Sequence, residues 1–166
     1  MLEWHTDKGE AYVVTGTGQG KTPLAAFDFA ELDCGIIATN AIPVTSFVPP
    51  TWDLKYDKEE LKKKTKKGRF IPMAFKYETS NVEPVAASVS VGLSEDEENP
   101  GIFMEYADTG KGAKEIEKTG ERSVKEVFSF RNWQVKDIIS KSAETRPKRN
   151  TYACALAAVL FFPEED

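Results

Sequence analysis

The chain has 166 residues, 40% of them apolar and 30% charged, which describes one globular domain with an ordinary core and excludes collagen, repeat arrays and extensive disorder. Lys and Arg number 22 against 27 Asp and Glu, a formal charge of -5 that suits a cationic small molecule better than nucleic acid. A single His5, and Cys34 and Cys154 far apart without a paired-cysteine motif, predict no metal site and reduced, buried thiols in a cytoplasmic protein. Residues 152–162, the most apolar stretch, have about half the length of a bilayer-spanning helix. The first residues lack a basic-then-apolar signal pattern, so no membrane association is expected.

Residues 10–15 (EAYVVT) are β-branched and aromatic and predict a strand. Gly16, Gly18 and Gly20 follow and read as a turn, and Thr22-Pro23 suits an N-cap with proline at the first helical position. The helix over residues 23–33 places Leu24, Phe27 and either Ala30 or Glu31 on one side, with Asp28 at the edge of that stripe. Residues 35–48 are apolar and β-leaning, yet Pro43 cannot donate to a ladder and Asn40, Thr45 and Ser46 are small polar residues within the stretch. Pro49-Pro50 ends it. Residues 51–67, with Lys62, Lys63, Lys64, Lys66 and Lys67, read as an exposed loop with at most one helical turn, and solvation of crowded like charges outweighs an anion site.

Strands are predicted over residues 69–79 and 84–93, then an acidic turn over 95–101, then a strand over 102–107. Residues 114–133 support the longest helix, with Ile116, Gly120, Val124, Val127, Phe128 and Arg131 on one face. Two closing strands, 133–143 and 151–162, flank a basic turn. The pattern is α+β with an antiparallel or mixed sheet, undivided by any linker.

The run Gly16-Thr-Gly-Gln-Gly-Lys-Thr invites a phosphate-binding reading, but the spacing opposes it. A phosphate loop needs glycine where Thr15 stands, and the dinucleotide pattern needs glycine where Lys21 stands. The lone His5 reads as a surface residue, and no Ser/His/Asp arrangement assembles around it. A different set is more informative: Asp28 in GKTPLAAFD, Asn40 ahead of Ile-Pro-Val-Thr45-Ser46-Phe-Val-Pro-Pro, and Glu105 in GIFMEY. With CGI, GRFIPMAF, the small-residue strand and the late YACALAA, their order and spacing resemble the pyruvoyl-dependent arginine decarboxylase family over most of the chain.

The resemblance implies a four-layer αββα sandwich of antiparallel or mixed sheets flanked by helices, assembled as a homotrimer or higher oligomer with active sites between subunits. It implies that residues 1–166 form one domain that cuts itself by serinolysis between Thr45 and Ser46, into pieces of 45 and 121 residues (166 minus 45). Ser46 would attack the Thr45 carbonyl while Asn40 stabilises the oxyanion. Residue 46 would then carry a covalent pyruvoyl group, with no metal and no pyridoxal phosphate. That group would form a Schiff base with L-arginine and accept the electrons released with carbon dioxide, giving agmatine for polyamine synthesis or acid tolerance. Glu105 would return the proton to Cα, helped by a carboxyl pKa raised in an apolar strand, and Asp28 would hold the guanidinium.

Each residue also has a plain reading: Glu105 as a solvent-facing strand residue, Asp28 as a polar helix position, Thr45-Ser46 as part of an edge strand, Asn40 as a turn former. Thr45 stands where the family commonly has serine, a harmless change because only its carbonyl is attacked. Phe29, Glu31 and Phe47 are bulkier or more charged than the family pattern around the substrate, and the Lys62–Lys67 stretch has no counterpart in it. The alternatives to arginine decarboxylation are a pyruvoyl decarboxylase for another amino acid and an uncleaved, non-catalytic assembly subunit.

Overall fold

The computed structural model describes residues 8–164, so His5 lies outside the described residues. Along the chain run β1 (Gly9–Gly20), α1 (Pro23–Cys34), β2 (Asn40–Pro43), β3 (Phe47–Val48), β4 (Asp53–Lys55), α2 (Lys58–Lys64), β5 (Phe70–Ser80), β6 (Val85–Ser94), β7 (Gly101–Thr109), α3 (Ala113–Phe130), β8 (Val135–Thr145) and β9 (Tyr152–Pro163). One sheet has the order β2-β5-β9-β1-β4 and the other β3-β7-β6-β8. Pairing is antiparallel except that β1 runs parallel to β4 and β2 to β5.

The two sheets face each other across a layer in which Ala153, Ala155 and Ala157 of β9 meet Val85, Ala87 and Val89 of β6. The period of two along each strand sends the intervening residues to the outer faces. There Cys154, Leu156 and Ala158 lie under α1, while Ile102 lies under Val124 and Phe128 of α3. The result is α1, sheet, sheet, α3: an α+β, four-layer αββα sandwich. Strands β6 and β9 are covered on both sides, which explains why their sequences are almost unbroken runs of small and apolar residues.

The helix α3 follows its predicted face with Ile116, Gly120, Val124 and Phe128 buried, but it ends at Phe130, so Arg131 caps it and is exposed rather than part of that face. Four other expectations are corrected. First, Gly16, Gly18 and Gly20 do not form a turn; they continue β1 and pair with Leu156, Cys154 and Tyr152. All three face α1, and a Cβ at Gly18 would stand 2.1 Å from the Ala26 carbonyl oxygen. Glycine is required there for close approach of helix and strand.

Second, the same closeness changes the face of α1. The helix packs through Ala26, Ala30 and Cys34, leaving Leu24 76% exposed. Thr22 accepts a hydrogen bond from Ala25 N at 3.1 Å, and Gly35 ends the helix in the left-handed region (φ 88°). Third, residues 51–67 contain β4 and the two-turn α2, capped by Asp57, with Leu61 fully buried against the first sheet. Lys64 is paired with Glu10 and lies 5.7 Å from the Phe162 ring centre, so that lysine is structural. Fourth, residues 35–48 are a loop and two short edge strands.

Among the described residues no helix is long and apolar enough to cross a membrane. Gly18→Ala is expected to cost about 1–3 kcal/mol or more in urea unfolding, because helix and strand must part. Gly68→Ala, at a site with open space but φ of 75°, is expected to cost about 1–2 kcal/mol from backbone strain alone.

Candidate active site

From Gly35 the chain reaches the edge of the first sheet as β2, in parallel register with β5 from Asn40↔Phe70 to Pro43↔Met73. Pro43 has no N–H to offer, which suits an edge. The last tie to this sheet is Val44 N donating to Met73 O at 3.3 Å. The chain then crosses to the second sheet, where Phe103 N donates to Ser46 O at 3.0 Å and β3 pairs Phe47 with Ile102 and Val48 with Gly101. The Thr45–Ser46 peptide is therefore the link between the two sheets. Thr45 is exposed, Ser46 is half-buried, and Val48 lies in the layer between the sheets.

One donor at this link escapes side-chain reasoning. Phe47 N donates to Thr45 O at 2.9 Å, closing a three-residue turn centred on Ser46. A backbone amide already polarises the carbonyl that Ser46 would attack. No side-chain pattern announces a backbone donor.

Glu105 lies on β7 opposite Val89 and shares its face of the strand with Phe103 and Ala107, which pack in the layer between the sheets. Burial pushes its carboxyl above the ordinary range, against smaller opposing effects from its own backbone amide and from Lys76 of β5. Through the bond from Phe103 N to Ser46 O, Ser46 lies against β7, the strand that carries Glu105 two residues further along. Glu105 is half-buried, not a solvent-facing strand residue.

Asp28 and Asn40 lie elsewhere in the same chain. Asp28 is exposed on the outer side of α1, so the first sheet stands between it and Glu105. Asn40 opens β2, its backbone N donating to Arg69 O at 2.8 Å and its side-chain Nδ2 to Gly68 O at 3.4 Å. Five extended residues, about 16 Å of chain, separate it from Thr45. Near Asp28, the Glu31 carboxyl is pushed up to about 7, chiefly by burial and then by the Asp28 charge. A cavity of about 600 Å³ around Trp52, Tyr56 and Lys136 lies just past the link, lined by Val48, Pro49 and Gly101 though by neither Ser46 nor Glu105.

Two exposed apolar surfaces flank these residues. Ile42, Val44 and Phe47 are exposed on either side of the link, Phe70 is exposed opposite Asn40, and Leu24 and Leu32 lie on the Asp28 side of α1. The thiols of Cys34 and Cys154 are free and buried, and burial pushes both up, Cys154 to about 12. Among the described residues no cluster of three metal-ligating side chains occurs.

The residues at the link fit a pyruvoyl group made from the chain itself: a serine, a polarised carbonyl before it and a carboxyl of raised pKa on the strand to which the serine is bonded. Comparison with known proteins points to the same chemistry. A curated relative from Methanococcus maripaludis, named pyruvoyl-dependent arginine decarboxylase, is 37% identical over 151 residues, covering 90% of this chain and 88% of that one. Another of the same name from Pyrococcus abyssi is 35% identical over 166 residues, covering 98% and 99%. A solved pyruvoyl-dependent histidine decarboxylase is more distant, with a TM-score of 0.44 and 13% identity over 61% of this chain and 52% of that one. The family model for pyruvoyl-dependent arginine decarboxylase (PvlArgDC) matches residues 10–166, and the chain belongs to that family.

Proposed function

We propose that this protein cuts itself between Thr45 and Ser46 and that the cut form decarboxylates L-arginine to agmatine and carbon dioxide. The observation that carries the proposal is the position of Ser46, on the link between the sheets and bonded to the strand that holds a half-buried glutamate of raised pKa. The names of the relatives support arginine as substrate. The protein's net negative charge and the exposed carboxylate of Asp28 suit a guanidinium, which presents a bidentate fork of donors.

In the cut, Ser46 Oγ adds to the Thr45 carbonyl carbon; the C–N bond breaks, the hydroxyl proton passes to the departing nitrogen, which becomes a free amine, and an ester joins the two residues. The Phe47 amide is aimed at the oxygen that becomes negative. Asn40 is assigned the side-chain donor to the same oxygen, and to serve there its Nδ2 has to leave Gly68 O. Loss of the Cα proton of residue 46 expels the Thr45 carboxylate. Water then replaces the amine of residue 46 as ammonia, leaving a ketone. In turnover that pyruvoyl group supplies an electron sink for the substrate's amine carbon. Glu105, kept protonated by burial, delivers the proton to that carbon.

Asp28 cannot reach Glu105 of its own chain, and both flanking surfaces are apolar. A homotrimer that places Asp28 of one copy at the link of the next satisfies both facts, and the site is complete only in the assembly.

Ser46→Ala should leave one intact chain by denaturing mass spectrometry, whereas the native sequence yields pieces of 45 and 121 residues (166 minus 45) with a ketone that an amine and reductant trap on the larger. Two native-sequence fragments from Ser46→Ala would place the cut elsewhere. Glu105→Gln should be cut normally yet lose about 10²–10⁴-fold in turnover.

Since burial raises the folded-state pKa of Glu105, the native protein binds more protons than the unfolded chain between the ordinary carboxylate value and the raised one. Stability from this residue therefore falls as pH rises through that window, and Glu105→Gln is the more stable protein above it. Turnover in the unsubstituted enzyme falls on the same rise, as the proton donor ionises.

Asp28→Asn should raise KM for arginine most among these variants. Mixed assemblies of Asp28→Asn and Glu105→Gln chains should regain activity at about one quarter of the sites, if two copies each give half of a site. No recovery would place Asp28 and Glu105 in one copy's site or remove Asp28 from it. Carbon dioxide release compared across arginine, ornithine, lysine and aspartate tests the substrate directly.

A further inference from the structure

The cut creates a problem that the fold has to solve. Residue 46 becomes a chain end, and ends fray unless something ties them down. The strand that follows it, β3, is only two residues long. Its turn bond from Phe47 N runs to Thr45, which belongs to the other fragment after the cut. What remains is the backbone pairing of Phe47 and Val48 with β7, the bond from Phe103 N to Ser46 O, and the burial of Val48. Phe47 itself is 39% exposed.

One side chain covers it. The Arg131 guanidinium carbon lies 5.2 Å from the Phe47 ring centre and 5.2 Å from the Trp133 ring centre. Among the described residues Arg131 has no carboxylate partner, so the two rings are its principal contacts. Its backbone is fixed. Arg131 caps α3, with its N–H on the Val127 and Phe128 carbonyls, and Asn132 (φ 56°) turns the chain so that Trp133 N bonds Phe128 O at 3.0 Å. Trp133 in turn packs edge-on against Phe128 at 6.0 Å, and Phe128 is fully buried between α3 and the second sheet.

We propose that Arg131 is a positioning residue of the cut enzyme: clamped between Trp133 and Phe47, it fastens the new chain end at residue 46 to the rigid end of α3 and keeps it against β7, the strand of Glu105. This rests on the cut at Thr45–Ser46. The chain of contacts runs from a buried core residue to the exposed ring of the residue next to the reacting position. A cation stacked on two rings suits the task, because it holds an aromatic side chain at the surface without needing a dry pocket.

The test uses the full chain, purified after cutting is complete by mass spectrometry. Hydrogen exchange is read on the peptide that begins at residue 46, and kcat and KM for arginine are measured in parallel. Arg131→Ala should exchange faster at Phe47 and Val48 and lose about fivefold or more in kcat with KM little changed, the size expected for two exposed cation–ring contacts. Arg131→Lys, which keeps a cation, should recover most of both. Phe47→Leu should behave like Arg131→Ala, and the double variant should be no worse than either single one.

Native exchange and native kcat in fully cut Arg131→Ala would overturn the proposal, as would additive losses in the double variant. If Arg131→Ala fails to fold, Phe47→Leu alone decides by the same two readouts. An uncut native chain would overturn the cleavage reading, and this proposal with it; a cut native chain with indifferent variants overturns this one alone.

Discussion

The architecture depends on how closely the two sheets lie. Sheets packed face to face stand about 10 Å apart, and here the space is filled by Ala87, Ala153, Ala155 and Ala157 with valines around them. At that separation residues 44–46 are just long enough to step from the Met73 edge of one sheet to the Phe103 edge of the other. Larger side chains in this layer would lengthen the step and carry Ser46 away from β7. The same dry layer raises the Glu105 pKa, so one packing choice sets both the place of the serine and the proton affinity of the acid.

Charge is arranged around this layer with little waste. Lys76 faces Glu105 but is exposed, so its pull on the carboxyl is screened and burial prevails. On the other side of the first sheet, Asp28 and Glu31 sit one turn apart, and the half-buried member of the pair carries the raised pKa. Two carboxyl groups on one helix thus differ in environment, one solvated and one sheltered, as do the exposed Asp28 and the half-buried Glu105 across the sheet.

Much of this was legible in the sequence where one face of an element decides its partner. The period of α3, the small-residue run of β6 and the apolar run of β9 each follow from burial against a layer, and the structure has them with only end residues differing. The glycines of β1 misled because glycine serves two purposes, turning and close approach, and only the neighbour distinguishes them. Once α1 is pressed onto those glycines, Ala26 and Ala30 fit where Leu24 cannot, so the helical stripe also reads wrongly. Leu61 was hidden in a lysine run because a single buried residue gives two helical turns no visible period. For the site, family resemblance named the residues, but placing Asp28 and Asn40 depends on which layer each element joins, and that is a property of topology.

The pairing of β1 with β9 along twelve residue pairs, Gly9↔Pro163 to Gly20↔Tyr152, has a further consequence in time. The earliest described strand waits for the last one before it can take its place, and β5, which carries β2 on its edge, is itself anchored to β9. The link holding Ser46 therefore acquires its geometry late, after almost all the chain has been synthesised. A break at Thr45–Ser46, as proposed, would hardly loosen the body: the smaller piece contributes β1, wedged between β9 and β4 of the larger. The proposed maturation would thereby follow assembly of the sandwich, and its two polypeptides would go on behaving as one.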